Sequence, residues 1–276
     1  MKRVCILLLS LALLLSLCAC RDAEEVPLRI FFLDVGQGDA MLVRTADGDL
    51  LIDAGTEESQ ETLCLRLEQL GVTELLLAVF THADGDHMGG ADGVLERFPT
   101  KEIWVSEELT ESESARRLAS VLETTDTVVT RVRSGMILRV GEVVLSVLYP
   151  FAEEDRGGNE NSIVLKLHYK NFDAILMGDA GEKQEKQILD TYGASQLACD
   201  LYKVGHHGSN TSSSAEFLAA VKPIYAIIGC GAANSYGHPT GEVLERLTAT
   251  GAEVLRTDLL GELAFETDGE TLFWRK

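Results

Sequence analysis

Between residues 28 and 274 the chain alternates short apolar runs with amphipathic stretches. Residues 28–34, 40–45 and 50–53 read as strands, the last two joined by the turn Ala46-Asp47-Gly48-Asp49. Residues 57–70 carry helical spacing, with Leu63, Leu67 and Leu70 on one stripe and Gly71 as a stop. Residues 74–80 are almost continuously apolar, the pattern of a strand buried on both faces. Further on, the pattern predicts helices over 90–98, 110–123, 181–192, 212–221 and 241–249. Strands are predicted over 102–105, 127–132, 162–169, 174–177, 201–204, 224–228, 253–256, 262–267 and 271–274, with a hairpin over 136–149 that turns at Gly141. Residues 151–161 read as a polar loop. No linker and no repeat of fixed period interrupts this order. Strands and helices recur in two similar halves, so the expected fold is α/β, a four-layer αββα sandwich of two mixed sheets flanked by helices.

The first twenty residues break the pattern. Lys2 and Arg3 precede an apolar run over 4–17 that is too short and wrongly flanked for a membrane span. The run ends in Leu17-Cys18-Ala19-Cys20, which resembles the lipobox of bacterial lipoproteins. Cys20 fits the acylated position better than Cys18, because small Ala19 precedes it and bulky Leu17 precedes Cys18. An ordinary secretory signal or an uncleaved anchor is the alternative. Each reading puts the remaining chain outside the cytoplasm: a signal over 1–20, a tether over 21–27 and one domain over 28–276. No segment suited to a membrane channel is recognised, so transport itself is not expected of this chain.

About 250 residues remain, enough for one large core. Residues 1–19 hold Lys2, Arg3 and no acid, so their removal leaves 22 basic against 44 acidic residues. That surface repels polyanions at long range and argues against a dedicated DNA-binding module. It argues less against a nuclease, which can hold phosphate locally. Cys64, Cys199 and Cys230 sit in apolar or amphipathic segments and read as buried thiols rather than as a disulfide framework.

The chemistry concentrates in Thr81-His82-Ala83-Asp84-Gly85-Asp86-His87-Met88-Gly89-Gly90, directly after the 74–80 strand. A solvated acidic turn is the bland alternative, but two of the chain's six histidines fall here among glycines. A strand ending in such a turn presents ligands at a sheet's rim. Other rim positions with ligating side chains are Asp179, His206, His207 and His238.

His82-x-Asp84-x-Asp86-His87 resembles the HxHxDH signature of the metallo-β-lactamase superfamily. With Asp84 in place of histidine, it is similar to the branch holding the extracellular domain of ComEC-type competence proteins. Further segments match that branch in order: Asp34-Val35-Gly36-Gln37-Gly38-Asp39, Leu51-Ile52-Asp53-Ala54-Gly55, Asn161-Ser162, Gly178-Asp179, Lys203-Val204-Gly205-His206-His207-Gly208-Ser209 and Tyr236-Gly237-His238-Pro239. The resemblance covers residues 28–250 and implies a metallo-β-lactamase-fold hydrolase with two divalent ions, manganese or zinc. It implies that His82 and Asp84 serve one ion and Asp86 and His87 the other, with Asp179 between them. A histidine of the adjacent pair would complete the second site, His206 being preferred. Asp86, His207 and His238 are the candidate catalytic residues, His207 or His238 as proton donor, although His238 before Pro239 suits a capping role as well. Asp34 and Asp53 are expected either to orient ligand histidines or to close their own turns. Gln37, Asn161 and Ser209 are candidates for contacting ion or substrate.

Two departures from the commoner pattern matter. Asp84 gives an oxygen donor that shifts preference towards manganese. The usual third-motif histidine is missing: His168 alternates with Lys166 and Lys170 and reads as exposed. The substrate expected is a phosphodiester, either nucleic acid or, alternatively, a phosphorylcholine-like head group of the envelope. A tethered, non-catalytic binding module is the reading from another class. The lipid anchor makes the membrane a partner; no obligate protein partner is expected.

Overall fold

The computed structural model describes residues 27–275, apart from residue 111 and residues 152–156. The signal, Cys20 and the tether up to residue 26 lie outside the described residues. The strands are β1 (Leu28–Phe32), β2 (Met41–Arg44), β3 (Asp49–Ile52), β4 (Leu75–Phe80), β5 (Thr100–Val105), β6 (Val128–Arg131), β7 (Ile137–Val140) and β8 (Val143–Tyr149). They continue as β9 (Val164–Tyr169), β10 (Phe172–Leu176), β11 (Leu201–Lys203), β12 (Tyr225–Ile228), β13 (Glu253–Arg256), β14 (Leu263–Thr267) and β15 (Leu272–Arg275). The α-helices are α1 (Gln60–Gln69), α2 (Gly85–Met88), α3 (Ala91–Arg97), α4 (Glu113–Leu122), α5 (Glu182–Tyr192), α6 (Ala194–Leu197), α7 (Ala215–Val221), α8 (Gly241–Ala249) and α9 (Thr257–Leu260).

Three apolar layers explain why these elements stack as they do. One lies between the sheets: Ile30, Ile52, Leu77 and Val79 from the first meet Leu145, Leu165, Leu176 and Ile227 from the second. A second joins the outer face of the first sheet to Leu63, Leu67, Val94 and Leu118 of the helices α1, α3 and α4. The third joins the outer face of the second sheet to Ile188, Phe217, Val221 and Leu247 of α5, α7 and α8. The molecule is thus the expected αββα sandwich of two mixed sheets. β4 is buried along nearly its whole length because helices cover one face and the other sheet covers the opposite face.

The sheets do not divide the chain into two clean halves. The eight-stranded sheet runs β15-β14-β1-β2-β3-β4-β5-β6, and the seven-stranded sheet runs β13-β12-β11-β10-β9-β8-β7. The C-terminal hairpin therefore returns to the first sheet, where β14 pairs antiparallel with β1. There the Phe265 ring meets Phe32 and Tyr225 edge-on. Strands β3 to β6 are parallel, as are β10 to β13. Connections leaving the C-terminal ends of β3, β4, β10, β11 and β12 carry Asp53, His82, Asp179, His207 and Gly229, and these meet at one rim. Among the described residues no helix is long and apolar enough to cross a membrane.

Candidate metal centre

The turn after β4 is fixed by backbone and glycine. Only four residues long, α2 starts at Gly85 and puts Asp86 and His87 side by side, while Met88 N donates to Asp84 O at 2.9 Å. From the β3 side, Ala54 N donates to His87 O at 2.7 Å, and from the β1–β2 loop Asp39 N donates to Asp86 O at 3.1 Å. Gly38 has φ +150°, and a Cβ there would overlap the Asp86 carbonyl oxygen, so the loop can press against the turn only as glycine.

Hydrogen bonds fix the tautomers of the three buried histidines. Asp53, fully buried, accepts from Thr81 N at 2.8 Å, from Thr81 Oγ1 at 2.9 Å and from His87 Nδ1 at 2.8 Å. With its proton committed to Asp53, Thr81 Oγ1 is free to accept from His82 Nδ1 at 3.1 Å. His207 Nδ1 lies 2.8 Å from Gly229 O, a carbonyl that can only accept. Each Nδ1 therefore carries the proton, and each Nε2 of the neutral ring presents a lone pair.

Those lone pairs converge. His87 Nε2 lies 3.2 Å from His207 Nε2 and 3.0 Å from Asp179 Oδ1. Asp86 Oδ2 lies 3.2 Å from His207 Nε2, which is 3.6 Å from Asp179 Oδ1. Two lone pairs and two carboxylates at these separations repel unless positive charge sits between them. Asp179 Oδ1 and His82 Nε2 are moreover buried without a hydrogen-bond partner. Divalent ions fit this donor set, the mixture of imidazole nitrogen and carboxylate oxygen that suits zinc or manganese. Asp39, His87, Asp179 and His207, all buried, offer ligating atoms within 4.8 Å of one another. Within that group Asp39 stands on the Nδ1 side of both rings, 4.0 Å from His87 Nδ1 and 3.7 Å from His207 Nδ1. Asp86 is the carboxylate on the Nε2 side.

The titration behaviour of the side chains agrees with a demand for positive charge. Burial opposes charge on His87, yet Asp179 and Asp53 outweigh it and raise its pKa well above the usual value. Burial likewise opposes charge on His207, where Asp179 and Asp39 prevail and raise the pKa. For Asp86, burial works against ionisation, but His207 and His87 bring its pKa down to about 2.

The family model described as the metallo-beta-lactamase superfamily matches residues 33–231, most of the chain. The chain belongs to that superfamily. It is 36% identical to "Competence protein ComA" of Neisseria gonorrhoeae over 84% of this chain and 31% of that one. It is 28% identical to "ComE operon protein 3" of Bacillus subtilis, over 91% of this chain and 34% of that one. These are the competence proteins that the sequence motifs resemble, and the chain spans about a third of their length. Among solved structures, the metallo-beta-lactamase fold protein YhfI of Bacillus subtilis superposes with a TM-score of 0.56 at 11% identity, over 88% of this chain and all of that one. Igni18, a metallo hydrolase of Ignicoccus hospitalis, gives a TM-score of 0.56 at 16% identity, over 88% of this chain and all of that one. These two likenesses concern the fold.

Within this metallo-beta-lactamase fold the other sequence candidates are spread around the rim. His82 Nε2 has Asp84 Oδ2 3.7 Å away, with the Asp84 side chain half exposed. His206 is part-exposed; its Nε2 lies 3.7 Å from Asp179 Oδ2 and 3.3 Å from Asn159 Nδ2. His206 and His207 both adopt left-handed backbone, φ +50° and +51°, which turns the adjacent rings apart, one inward and one to the rim. Each such residue costs about 1–3 kcal/mol in isolation, a strain that commonly marks functional turns. Ser212 Oγ braces this turn by donating to Gly205 O at 2.7 Å, and Ser214 caps α7. His238, half-buried, meets His206 edge-on and is stacked by the exposed ring of Tyr236. Burial lowers the pKa of both His206 and His238.

Asp34 is exposed and accepts from Gly36 N at 3.2 Å, closing its own turn. Gln37 Oε1 accepts from Gly231 N at 3.1 Å and ties the β1–β2 loop to the segment after β12. Asn161 is buried and donates to Glu107 Oε2 at 3.4 Å. Ser209 is buried against Thr211 Oγ1 at 3.0 Å. His168 is exposed on β9, bonded to Asp173. Sequence reasoning assigned no role to Asp39, Thr81, Glu107, Asn159 or Lys203. Asp39 and Lys203 stand at the ends of two of the quoted motifs, which was the available signal.

Proposed function

We propose that this chain is a metal-dependent hydrolase of phosphoric esters that acts outside the cytoplasm, anchored through Cys20, with phosphodiesters of nucleic acid as its first substrate class. The observation that carries the reading is the convergence of His87 Nε2, His207 Nε2, Asp86 and Asp179 on one point. The competence-protein relatives favour nucleic acid within that class. In this reading Asp86, His87, Asp179 and His207 would hold an inner ion, and His82 and Asp84 an outer one. This exchanges the roles that the sequence suggested for the paired histidines. His207, only 1% exposed, faces ligands and not solvent, while part-exposed His206 lines the mouth.

Bound divalent ions would supply Lewis acidity that lowers the pKa of water and offsets phosphoryl charge. The side chains do the rest. Asp53 and Gly229 O keep His87 and His207 in the ligating tautomer, so neither ring must reorganise when substrate arrives. Asp86, ionised down to about pH 2, remains a carboxylate throughout and is no proton donor. The rim rings His206 and His238 are placed to take a proton from water and pass it to the leaving oxygen. Asp84, an oxygen donor, favours manganese.

A second reading has its own observation. The groove beside Asp84 and Asp86 is also lined by Glu57, Glu58, Glu113, the exposed Tyr236 and one cation, Arg117, which pairs with Glu57 at 3.0 Å. Carboxylates and an aromatic face suit a quaternary ammonium head group better than a polyanion. Assay of bis-p-nitrophenyl phosphate, p-nitrophenylphosphorylcholine and single-stranded DNA, with manganese or zinc, decides between them. Turnover of the diester and DNA, lost in Asp86→Ala, is the expected result. Turnover of the choline ester alone transfers the function to the second reading, and no turnover above the Asp86→Ala background refutes both.

A further inference from the structure

Lys203 is 1% exposed at the end of β11. Its Nζ lies 2.6 Å from Asp39 Oδ2 and donates to Val204 O at 2.8 Å. Asp39 is equally enclosed, 2% exposed, and comes from the β1–β2 loop of the other sheet. Desolvating two such charges commonly costs more than their attraction returns, so stability alone does not explain the pair. Its location does. Asp39 N holds Asp86 O at 3.1 Å, Asp39 O accepts from Gly55 N at 2.8 Å, and the Asp39 carboxylate sits behind the Nδ1 edges of His87 and His207. There is no slack around it: a Cβ at Gly229 would overlap Asp39 Oδ1. Asp86 and His87 belong to the half of the rim built on the first sheet, Asp179 and His207 to the half built on the second.

We propose that Asp39 and Lys203 form a buried latch between the two sheets, positioning residues that hold the ligands of one half in register with those of the other. The latch rests on the metal-centre reading above, and its effect is specific to the inner ion. Both charges can be removed together without leaving one unpaired, which separates positioning from folding.

The test titrates the purified, chelator-stripped chain with manganese and zinc by calorimetry and records the visible spectrum of its cobalt(II) form. Lys203→Met alone leaves Asp39 buried and unpaired and is expected to lower the melting temperature strongly. The double variant Asp39→Asn/Lys203→Met is expected to melt near the parent, yet to bind its tighter ion about 10–100-fold more weakly. Its cobalt bands should shift, because the ligand geometry has changed. The single variant Asp39→Asn leaves Lys203 buried and unpaired, so it is expected to lower the melting temperature as Lys203→Met does. Parent-like affinity and an unshifted cobalt spectrum in the folded double variant overturn the latch. Failure of the parent itself to bind an ion overturns the metal centre and the latch with it, and so is told apart from failure of the latch alone.

Discussion

His82 and His87 leave the same turn, yet the two imidazoles are held by different means. Behind His87 stands a buried carboxylate, Asp53 at 2.8 Å, and its Nε2 faces Asp179 and His207 at 3.0 and 3.2 Å. Behind His82 stand two hydroxyls, Thr81 at 3.1 Å and Ser162 at 3.4 Å, and among the described residues the carboxylate beside its Nε2 is that of half-exposed Asp84, 3.7 Å away. A charged, buried partner fixes a ring and raises its basicity more than a hydroxyl does. The inner end is therefore pre-assembled and the outer end is loosely furnished. Two ions bound here should differ in affinity, the inner one being the tighter.

The largest departure from this picture is expected on removing what the two ends share. Asp179→Ala should lose more than about a hundredfold in affinity for the tighter ion, exceeding the effect usual for a supporting residue. Calorimetry on the stripped protein measures it, and a loss confined to the weaker ion would reverse the ranking of the two ends. Asp53→Asn comes next. It keeps the shape but removes the charge behind His87, and should weaken the inner ion about 10–100-fold and the outer ion, reached through Thr81 Oγ1, by less.

How much of this was legible in sequence differs element by element. The strand β4 and its ligand turn could be read because apolar run, glycine and ligands follow one another locally. Helix α5 was legible from its own period; its predicted span, 181–192, differs from the observed one by a single residue. The return of β14 to β1 was not, since pairing across some 235 residues leaves no local trace. Nor was the choice between His206 and His207. Two adjacent histidines have the same sequence environment, and only the left-handed backbone at both decides which ring turns inward. Lys203 was hidden for a similar reason: a lysine near a strand end ordinarily points to water, and the partner that lets this one stay buried lies on the other sheet.

A smaller effect should appear in the metal-free protein as pH changes. His87 and His207 have raised pKa values, so they contribute stability that is present below the ordinary histidine pKa of 6.5 and lost as pH rises through the raised values. The lowered pKa values of His206 and His238 act in the opposite sense, but their contribution is complete by about pH 6.5. The stripped chain should therefore melt lower at pH 9 than at pH 7, and added manganese should abolish the difference. A melting temperature that rises over this range would contradict the charge assignment at the inner end. The smallest change is expected for Asp84→His, which replaces an oxygen by a nitrogen at the outer end. It should move the preference of the weaker ion from manganese towards zinc and leave the inner ion unaltered, as competitive titration would register.

The most direct test of the centre is a crystal structure of the manganese-loaded chain with anomalous scattering recorded at the manganese edge. A strong peak bounded by Asp86, His87, Asp179 and His207 and a weaker one beside His82 and Asp84 are expected. A peak coordinated by His206 with His207 turned away, or no peak between the two Nε2 atoms, would contradict this.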